Sequence, residues 1–189
     1  MIAGVILAAG ESRRMGFPKP LLPYKGTTFL GHLIDVLRGQ VDPLIIVLGH
    51  NADRIPVLLG ATVVINHNYH LGQLSSLQAA ISNLKSATLV CLVDHPCIER
   101  PLVEKLIQTY EQHRPPVLIP TYRGRRGHPM IFSEELFPEL LAAPLDQGAR
   151  VVVRRHQAME LPVEDEGILL DLDDPESYKR VTGLPVPSA

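Results

Sequence analysis

The sequence contains only two cysteines, Cys91 and Cys97, among 189 residues. Two thiols are too few for a disulfide framework and give no support to a metal site built on sulfur, so we expect a reducing compartment, the cytoplasm. An excess of charge is also missing, because the formal net charge is -2 at pH 7. Without a basic excess the chain lacks the electrostatic footprint of a nucleic-acid-binding protein.

Long apolar runs are absent as well. The first run, residues 2–9, has no basic flank and is far too short to cross a bilayer, and no later run approaches about 20 residues. We therefore expect no membrane segment and no targeting segment. What is present is 46% hydrophobic and 20% charged residues, which is typical of a globular domain. We place one domain at residues 1–182 and a flexible tail, rich in turn-forming residues, at 183–189.

Short apolar runs recur along the first two thirds of the chain with few polar residues inside them. They cover residues 3–8, 44–48, 62–65, 88–93 and 117–119. Continuous apolarity predicts strands that are buried on both faces. The segments between them have apolar residues at helical spacing, which predicts amphipathic crossover helices. This alternation is typical of an α/β fold, a mostly parallel sheet with helices on both faces, which binds ligands beyond the carboxyl ends of its strands.

The last third of the chain is less regular. Residues 137–141 and 147–155 have helical spacing, and residues 130–132 and 168–172 have the composition of short strands. The pattern does not give the order of these elements in the sheet.

The loop after the first strand has the composition of a phosphate-binding site. Small residues at positions 8–10 let the backbone approach a ligand, and the amides beside Arg13, Arg14 and Lys19 favour an anion. A Walker A loop is excluded because Lys19 comes three residues after Gly16. A dinucleotide fingerprint is excluded because the sequence has no G-x-G-x-x-G.

The segment LAAGESRRMGFPKPLL, residues 7–22, resembles the signature of the nucleotidyltransferases of the molybdenum-cofactor (MobA/MocA-type) family. The resemblance continues through GQLSSL at 72–77, DHP at 94–96, RGHP at 126–129 and DQGAR at 146–150. The last two motifs narrow it to the branch of the molybdenum cofactor cytidylyltransferases. The resemblance implies a three-layer, Rossmann-like nucleotidyltransferase fold. It also implies Mg²⁺-dependent transfer of a nucleotidyl group from an NTP to a molybdopterin-type acceptor, and a molybdoenzyme or its accessory protein as a partner.

The resemblance also assigns roles to individual residues. The predicted catalytic residues are Lys19 at the α-phosphate, Arg14 at the departing pyrophosphate and Asp94. The predicted nucleotide-binding residues are Leu7, Ala8, Ala9, Gly10, Glu11, Ser12, Arg13, Gln73, Ser75 and Ser76. For Ser75, capping of the following helix is a sufficient alternative reason.

Two carboxylates are candidates for the metal. Asp94 follows a predicted buried strand, and a hard oxygen donor at that edge suits Mg²⁺, although an aspartate before Pro96 can also simply turn the chain. Asp146 is the second candidate because its motif matches the family, while capping of the helix after it is the alternative.

The acceptor is expected near Arg126, His128 and Asp146. Arg126 belongs to the densest basic cluster of the sequence, which is either a phosphate-docking surface or a solvated loop. Ala9 adds a methyl group where the guanylyltransferase branch has glycine, which predicts a preference for CTP over GTP. A sugar- or polyol-phosphate nucleotidyltransferase and a non-catalytic cofactor-loading protein are the alternative functions.

Overall fold

The computed structural model describes residues 1–56 and 60–188. The strands are β1 (Ala3–Leu7), β2 (Pro23–Tyr24), β3 (Thr27–Thr28), β4 (Leu44–Leu48), β5 (Thr62–Ile65), β6 (Thr88–Leu92), β7 (Val117–Tyr122), β8 (Arg125–Arg126), β9 (Met130–Phe132) and β10 (Met159–Pro162). The helices are α1 (Phe29–Leu37), α2 (Gln73–Ile81), α3 (Arg100–His113), α4 (Phe137–Ala142), α5 (Arg150–Arg155) and α6 (Pro175–Thr182).

Most strands form an eight-stranded sheet with the order β10-β7-β9-β6-β1-β4-β5, in which β8 pairs with β7 beside this path. The pairs of β1 with β4 and β6, of β4 with β5 and of β7 with β10 are parallel. Strand β9 runs antiparallel to both β6 and β7, and β2 and β3 form a separate hairpin. The predicted α/β fold with a mostly parallel sheet is confirmed.

Helices cover both faces of this sheet because the side chains of each strand alternate. Ile6 of β1 packs in one buried cluster with α1, α3 and α6, represented by Leu33, Leu106 and Tyr178. Val5, its neighbour in β1, belongs to a second cluster, whose helical members include Leu77, Leu140 and Val152 of α2, α4 and α5. The predicted three-layer arrangement follows from these two clusters.

The prediction of burial on both faces is wrong for β5. Its residues Val63 and Ile65 are 42% and 44% exposed. The physical reason is the position of β5 at the edge of the sheet, because among residues 1–56 and 60–188 it pairs with β4 alone. Strand β10, at the opposite edge of the sheet, was not predicted, and its residues alternate between half-buried and exposed.

The predicted strand at residues 168–172 is wrong. A 3₁₀ turn, Glu166–Leu169, occupies its start. The Ile168 carbonyl accepts a hydrogen bond from the amide of His128, and the Leu172 amide donates to the carbonyl of Asp94 at 2.8 Å. The segment therefore makes one hydrogen bond to each of two loops instead of the repeated hydrogen bonds of a strand. The bond to Asp94 brings residues 171–173 to the end of β6.

The predicted helix at residues 147–155 begins later than expected. A 3₁₀ turn, Leu145–Gln147, comes first, and Gly148 has a φ of +66°, which lies outside the helical region and separates the turn from α5. After α6, residues 183–188 have no helix or strand, and Val186 packs partly against the core. Ala189 lies outside the described residues, and the division into a domain and a flexible tail stays a prediction. No helix in the described ranges has the length and apolarity to cross a membrane.

Candidate functional site

The predicted phosphate loop, residues 7–16, begins where β1 ends, at the carboxyl edge of the parallel strands. Its backbone is fixed by the neighbouring strand, because the amide of Ala8 donates to the carbonyl of Val47 and the Ala9 carbonyl accepts from His50. A Cβ atom at Gly49 would lie 2.9 Å from the Ala9 oxygen, so this close approach requires glycine.

Ser12 holds the second half of the loop. Its φ of +56° is in the left-handed region, and its carbonyl accepts the amides of Met15 and Gly16 at 3.1 Å. Its hydroxyl accepts the backbone amide of Lys19 at 3.0 Å. Ser12 therefore joins the loop to Lys19. Glu11 and Arg13, by contrast, pair with each other, and that ion pair lowers the pKa of Glu11.

Lys19 is buried between two carboxylates, with a relative exposure of 8%. Its Nζ lies 3.1 Å from Oδ2 of Asp94 and also contacts Asp173. Burial alone would lower the pKa of the Lys19 ammonium, but the two carboxylates outweigh it and raise the pKa above its ordinary value. The side chain is therefore held fully charged at the end of the loop.

A cavity of about 220 Å³ joins the loop to these charged groups. The sequence-predicted residues that line it are Leu7, Ala8, Ala9, Gly10, Ser12, Lys19, Gln73, Ser76 and Asp94. A smaller adjoining cleft is lined by Ser12, Arg13, Arg14, Lys19 and Asp173. The structure thus brings most of the predicted nucleotide-binding residues together around one cavity that Lys19 also lines.

Asp173 was not found by sequence analysis, although it contacts both predicted catalytic cations. One of its carboxylate oxygens pairs with Lys19 and the other with Arg14. Asp173 belongs to the segment DLDD, residues 171–174. Asp174 of this segment has a structural role, because it is the N-cap of α6 in a capping box with Ser177. This run of aspartates after an apolar segment was the available signal.

Beside the ion pairs of Asp173, the side chains of Asp94, His95 and Asp171 form a second cluster. Ligand atoms of Asp94, His95 and Asp171 all lie within 4.8 Å of one another. Burial, followed by the charges of Asp94 and Asp173, raises the pKa of Asp171. Negative charge crowded in this way, together with hard oxygen donors and an imidazole, fits a divalent cation. Asp146, the second carboxylate predicted for the metal, is not in this group.

The hydroxyls of Ser75 and Ser76 have partners inside the protein. Asn66 Nδ2 lies 2.9 Å from the Ser75 oxygen and 3.0 Å from that of Ser76. The Ser75 hydroxyl also donates to the carbonyl of Gly72. Ser75 does not line the described cavities, whereas Ser76 and Gln73 do. The alternative of side-chain capping is not realised either, because the N-cap of α2 is Gly72.

A second cavity, of about 210 Å³, adjoins the first through Leu7 and Gln73. Its polar residues include His128, Asp146 and Arg150, and its floor is apolar, formed by Leu74, Leu77, Val90, Leu92, Met130 and Phe132. Of the predicted acceptor-binding residues, His128 and Asp146 therefore share one pocket next to the phosphate loop.

His128 is a neutral group in this pocket. Burial, with a smaller contribution from His95, lowers its pKa to about 4. The two imidazole rings are 5.0 Å apart, and in the described part of the chain their Nδ1 atoms are buried without hydrogen-bond partners. Arg126 is on the exposed strand β8 and pairs with Glu160 at 2.7 Å. The charge of Arg126 is thus partly neutralised by Glu160 of β10, a strand that the sequence pattern did not predict.

The chain is similar to known proteins over nearly its whole length. The chain is 33% identical over 197 residues to the nicotine blue oxidoreductase of Paenarthrobacter nicotinovorans, covering 95% of this chain and 96% of that protein. It is 24% identical over 178 residues to the molybdenum cofactor cytidylyltransferase of Escherichia coli, covering 92% of each.

Solved structures are also similar to this chain in fold and in sequence. The crystal structure of Rv0371c from Mycobacterium tuberculosis is 33% identical, with a TM-score of 0.86 over 97% of both chains. A manganese complex of Rv0371c has a TM-score of 0.82 at 31% identity and covers 96% of this chain and 98% of that one. The family model described as the MobA-like NTP transferase domain matches residues 4–159, so the chain belongs to the MobA-like nucleotidyltransferases.

Proposed function

We propose that the chain transfers CMP from CTP to the terminal phosphate of a molybdopterin-type acceptor, with Mg²⁺ as the activating cation. The observation that carries the proposal is the buried Lys19 ammonium, which lines one cavity with the phosphate loop and with Asp94. Relatives named as molybdenum cofactor cytidylyl- and guanylyltransferases, 24% and 31% identical, support the acceptor class.

In the proposed reaction an oxygen of the acceptor phosphate forms a bond to the α-phosphorus of CTP. The bond from that phosphorus to the oxygen bridging the β-phosphate breaks, and pyrophosphate leaves with this oxygen. Because the reactants are anions, the protein has to align them and balance their charge more than it has to supply a base. The amides of residues 10–13 hold the β- and γ-phosphates, Lys19 contacts the α-phosphate and Arg14 the leaving pyrophosphate.

Asp173 has a positioning role in this scheme. It contacts both Lys19 and Arg14, although Arg14 is otherwise exposed. We propose that the carboxylate orients both cations toward the cavity, and that phosphate oxygens compete with it when the nucleotide binds. Binding then needs little rearrangement of the loop, which favours a preorganised site.

Asp94 and Asp171 are proposed to hold the divalent cation. Such a cation supplies positive charge to the triphosphate when it is bound. The crystal structure of the mycobacterial relative as a manganese complex supports divalent metal use. Asp146 is proposed to act on the acceptor instead, since it lies in the pocket with His128.

The pocket around His128 suits a flat, polar ring. Its floor is apolar, while Gln73, Asp146 and Arg150 offer hydrogen-bonding groups, the combination expected for a heterocycle. A neutral imidazole at His128 can hydrogen-bond such a ring without adding charge.

The base preference is assigned to Ala9. This residue lines the cavity of about 220 Å³ beside the loop, although it is only 4% exposed, and we propose that its methyl group reduces the space over the loop. A bicyclic purine loses more from this than a pyrimidine does, which supports CTP over GTP. The free thiols of Cys91 and Cys97 support a reducing location, and we place the reaction in the cytoplasm.

A second candidate function comes from the oxidoreductase relative, which is 33% identical over 95% of this chain. Its name describes a redox reaction that would need an electron donor, and this sequence has no glycine fingerprint for a dinucleotide. We therefore treat it as the alternative to be tested, by following the oxidation of NADH and NADPH with nicotine blue as the electron acceptor.

The experiment incubates the protein with Mg²⁺, each of the four NTPs in turn and molybdenum cofactor released from a purified molybdoenzyme. Pyrophosphate release that depends on the cofactor and is fastest with CTP supports the proposal. Nicotinamide oxidation without pyrophosphate release would replace it with the redox alternative. Tight nucleotide binding without turnover would indicate the non-catalytic loading protein.

A further inference from the structure

The acidic group at the end of β6 contains an imidazole that the scheme above does not use. One ring nitrogen of His95 lies within 4.8 Å of ligand oxygens of Asp94 and Asp171. The residue is 8% exposed, and its Nδ1 atom is buried with no hydrogen-bond partner in residues 1–56 and 60–188. A buried ring nitrogen without a partner needs an explanation.

Lys19 and Arg14 occupy several of the carboxylate oxygens, and the remaining oxygens are available to a metal. Asp173 has both oxygens occupied, one by Lys19 and the other by Arg14. Lys19 contacts Asp94 through Oδ2 only, so that carboxylate keeps a second oxygen. Within the described residues Asp171 has no ion-pair partner at all. The free donors are therefore one oxygen of Asp94, the carboxylate of Asp171 and the imidazole of His95.

We infer that His95 is a third ligand of this cation site and that it makes the site bind Mn²⁺ more tightly than Mg²⁺. Mg²⁺ is a hard ion that prefers oxygen ligands and retains its waters, whereas first-row transition ions accept imidazole nitrogen. Mn²⁺ has the lowest affinity of that series, so a preference seen with Mn²⁺ extends to Co²⁺ and Zn²⁺. Mg²⁺ still binds through the two carboxylates. The inference rests on the cation site of the proposed function.

The test measures metal binding without turnover, so it can fail independently of the transferase proposal. Titration of the metal-free protein with Mn²⁺ and with Mg²⁺, by calorimetry, gives the two Kd values. For wild type we expect the Kd for Mn²⁺ to be at least about tenfold lower than that for Mg²⁺. In His95→Asn the Kd for Mn²⁺ should rise by about 10- to 100-fold, and the Kd for Mg²⁺ by less than about threefold.

The matched control is His113→Asn, which removes an exposed imidazole at the end of α3, and it should change neither Kd. Because His95 is buried, its variant is compared with wild type only where circular dichroism shows the wild-type fold. Pulsed electron paramagnetic resonance of Mn²⁺ on wild-type protein avoids the variant altogether, since a bound imidazole produces ¹⁴N modulation.

A wild-type Mn²⁺ spectrum without ¹⁴N modulation would overturn the assignment. So would equal Kd values for the two ions, or the absence of Mn²⁺ binding. The neighbouring ring of His128 lies 5.0 Å from that of His95. Modulation that is lost in His128→Asn and retained in His95→Asn would identify His128 as the ligand, and this result would also overturn the assignment to His95.

Discussion

Replacing Lys19 with methionine removes a buried ammonium while retaining a side chain of similar length. The ammonium lies 3.1 Å from Asp94 and contacts Asp173, and it is held at the cavity by the bond from its backbone amide to Ser12. In the proposed reaction it faces the α-phosphate, where charge develops in the transition state. We expect the main effect on turnover and a smaller effect on nucleotide affinity.

The magnitude follows from the burial of Lys19. At an effective dielectric constant of about 20, two unit charges about 4 Å apart interact by about 4 kcal/mol. Asp94 and Asp173 already interact with the ammonium, so only part of this energy distinguishes the transition state. Loss of one preorganised electrostatic contact typically costs about 2.7–4 kcal/mol, which is a decrease of about 10²- to 10³-fold in kcat.

The assay is steady-state pyrophosphate release with saturating acceptor, compared between Lys19→Met and Lys25→Met. Lys25 is a matched control because it is also paired with a carboxylate, Glu99, but it is 53% exposed and does not line the nucleotide cavity. We expect wild-type turnover from the control. A folded Lys19→Met protein with kcat within about threefold of wild type would refute the reasoning.

Three further predictions concern the carboxylates and the base. Asp94→Asn should keep the fold, by circular dichroism, and lose most cation-dependent turnover, because the change is isosteric but removes the charge that holds the metal. Asp171→Asn should stabilise the metal-free protein at pH 7: the folded-state pKa of Asp171 is raised, so its ionised form disfavours folding above that pKa. The side chain is partly exposed, which limits the gain to about 1 kcal/mol; urea unfolding should show it at pH 7 but not at pH 3, where Asp171 is protonated in both states. Ala9→Gly should raise kcat/KM for GTP relative to CTP by about 10- to 200-fold, the range for one methyl group, and an unmoved ratio would leave Ala9 as an ordinary strand-end residue.

The parts of the site that could be predicted are contiguous in the sequence. The loop of residues 7–16 and Lys19 form one motif, and its small and basic residues predict an anion site. Asp94 could be found because it follows a buried strand. These features depend on local chain geometry, which a sequence pattern records.

The parts that were missed depend on long-range contacts. Asp171 and Asp173 reach the site through the bond from the Leu172 amide to the Asp94 carbonyl, and no periodic pattern encodes a single bond between two loops. The predicted acceptor-binding residue Arg126 lines a further cavity with His128 and Arg150, and its ion pair with Glu160 could not be predicted because strand β10 was not predicted. This pair joins β8, which is antiparallel to β7, with β10, which is parallel to β7, so it depends on a strand order that the sequence pattern does not contain.

The most direct test of the central claim follows the α-phosphate of CTP. With α-labelled CTP, Mg²⁺ and purified molybdenum cofactor, we predict that the label moves to the cofactor in an amount equal to the pyrophosphate released, and that γ-labelled CTP gives labelled pyrophosphate only. Label that remains entirely in CTP or CMP, or γ-label that appears as orthophosphate, would contradict nucleotidyl transfer to this acceptor.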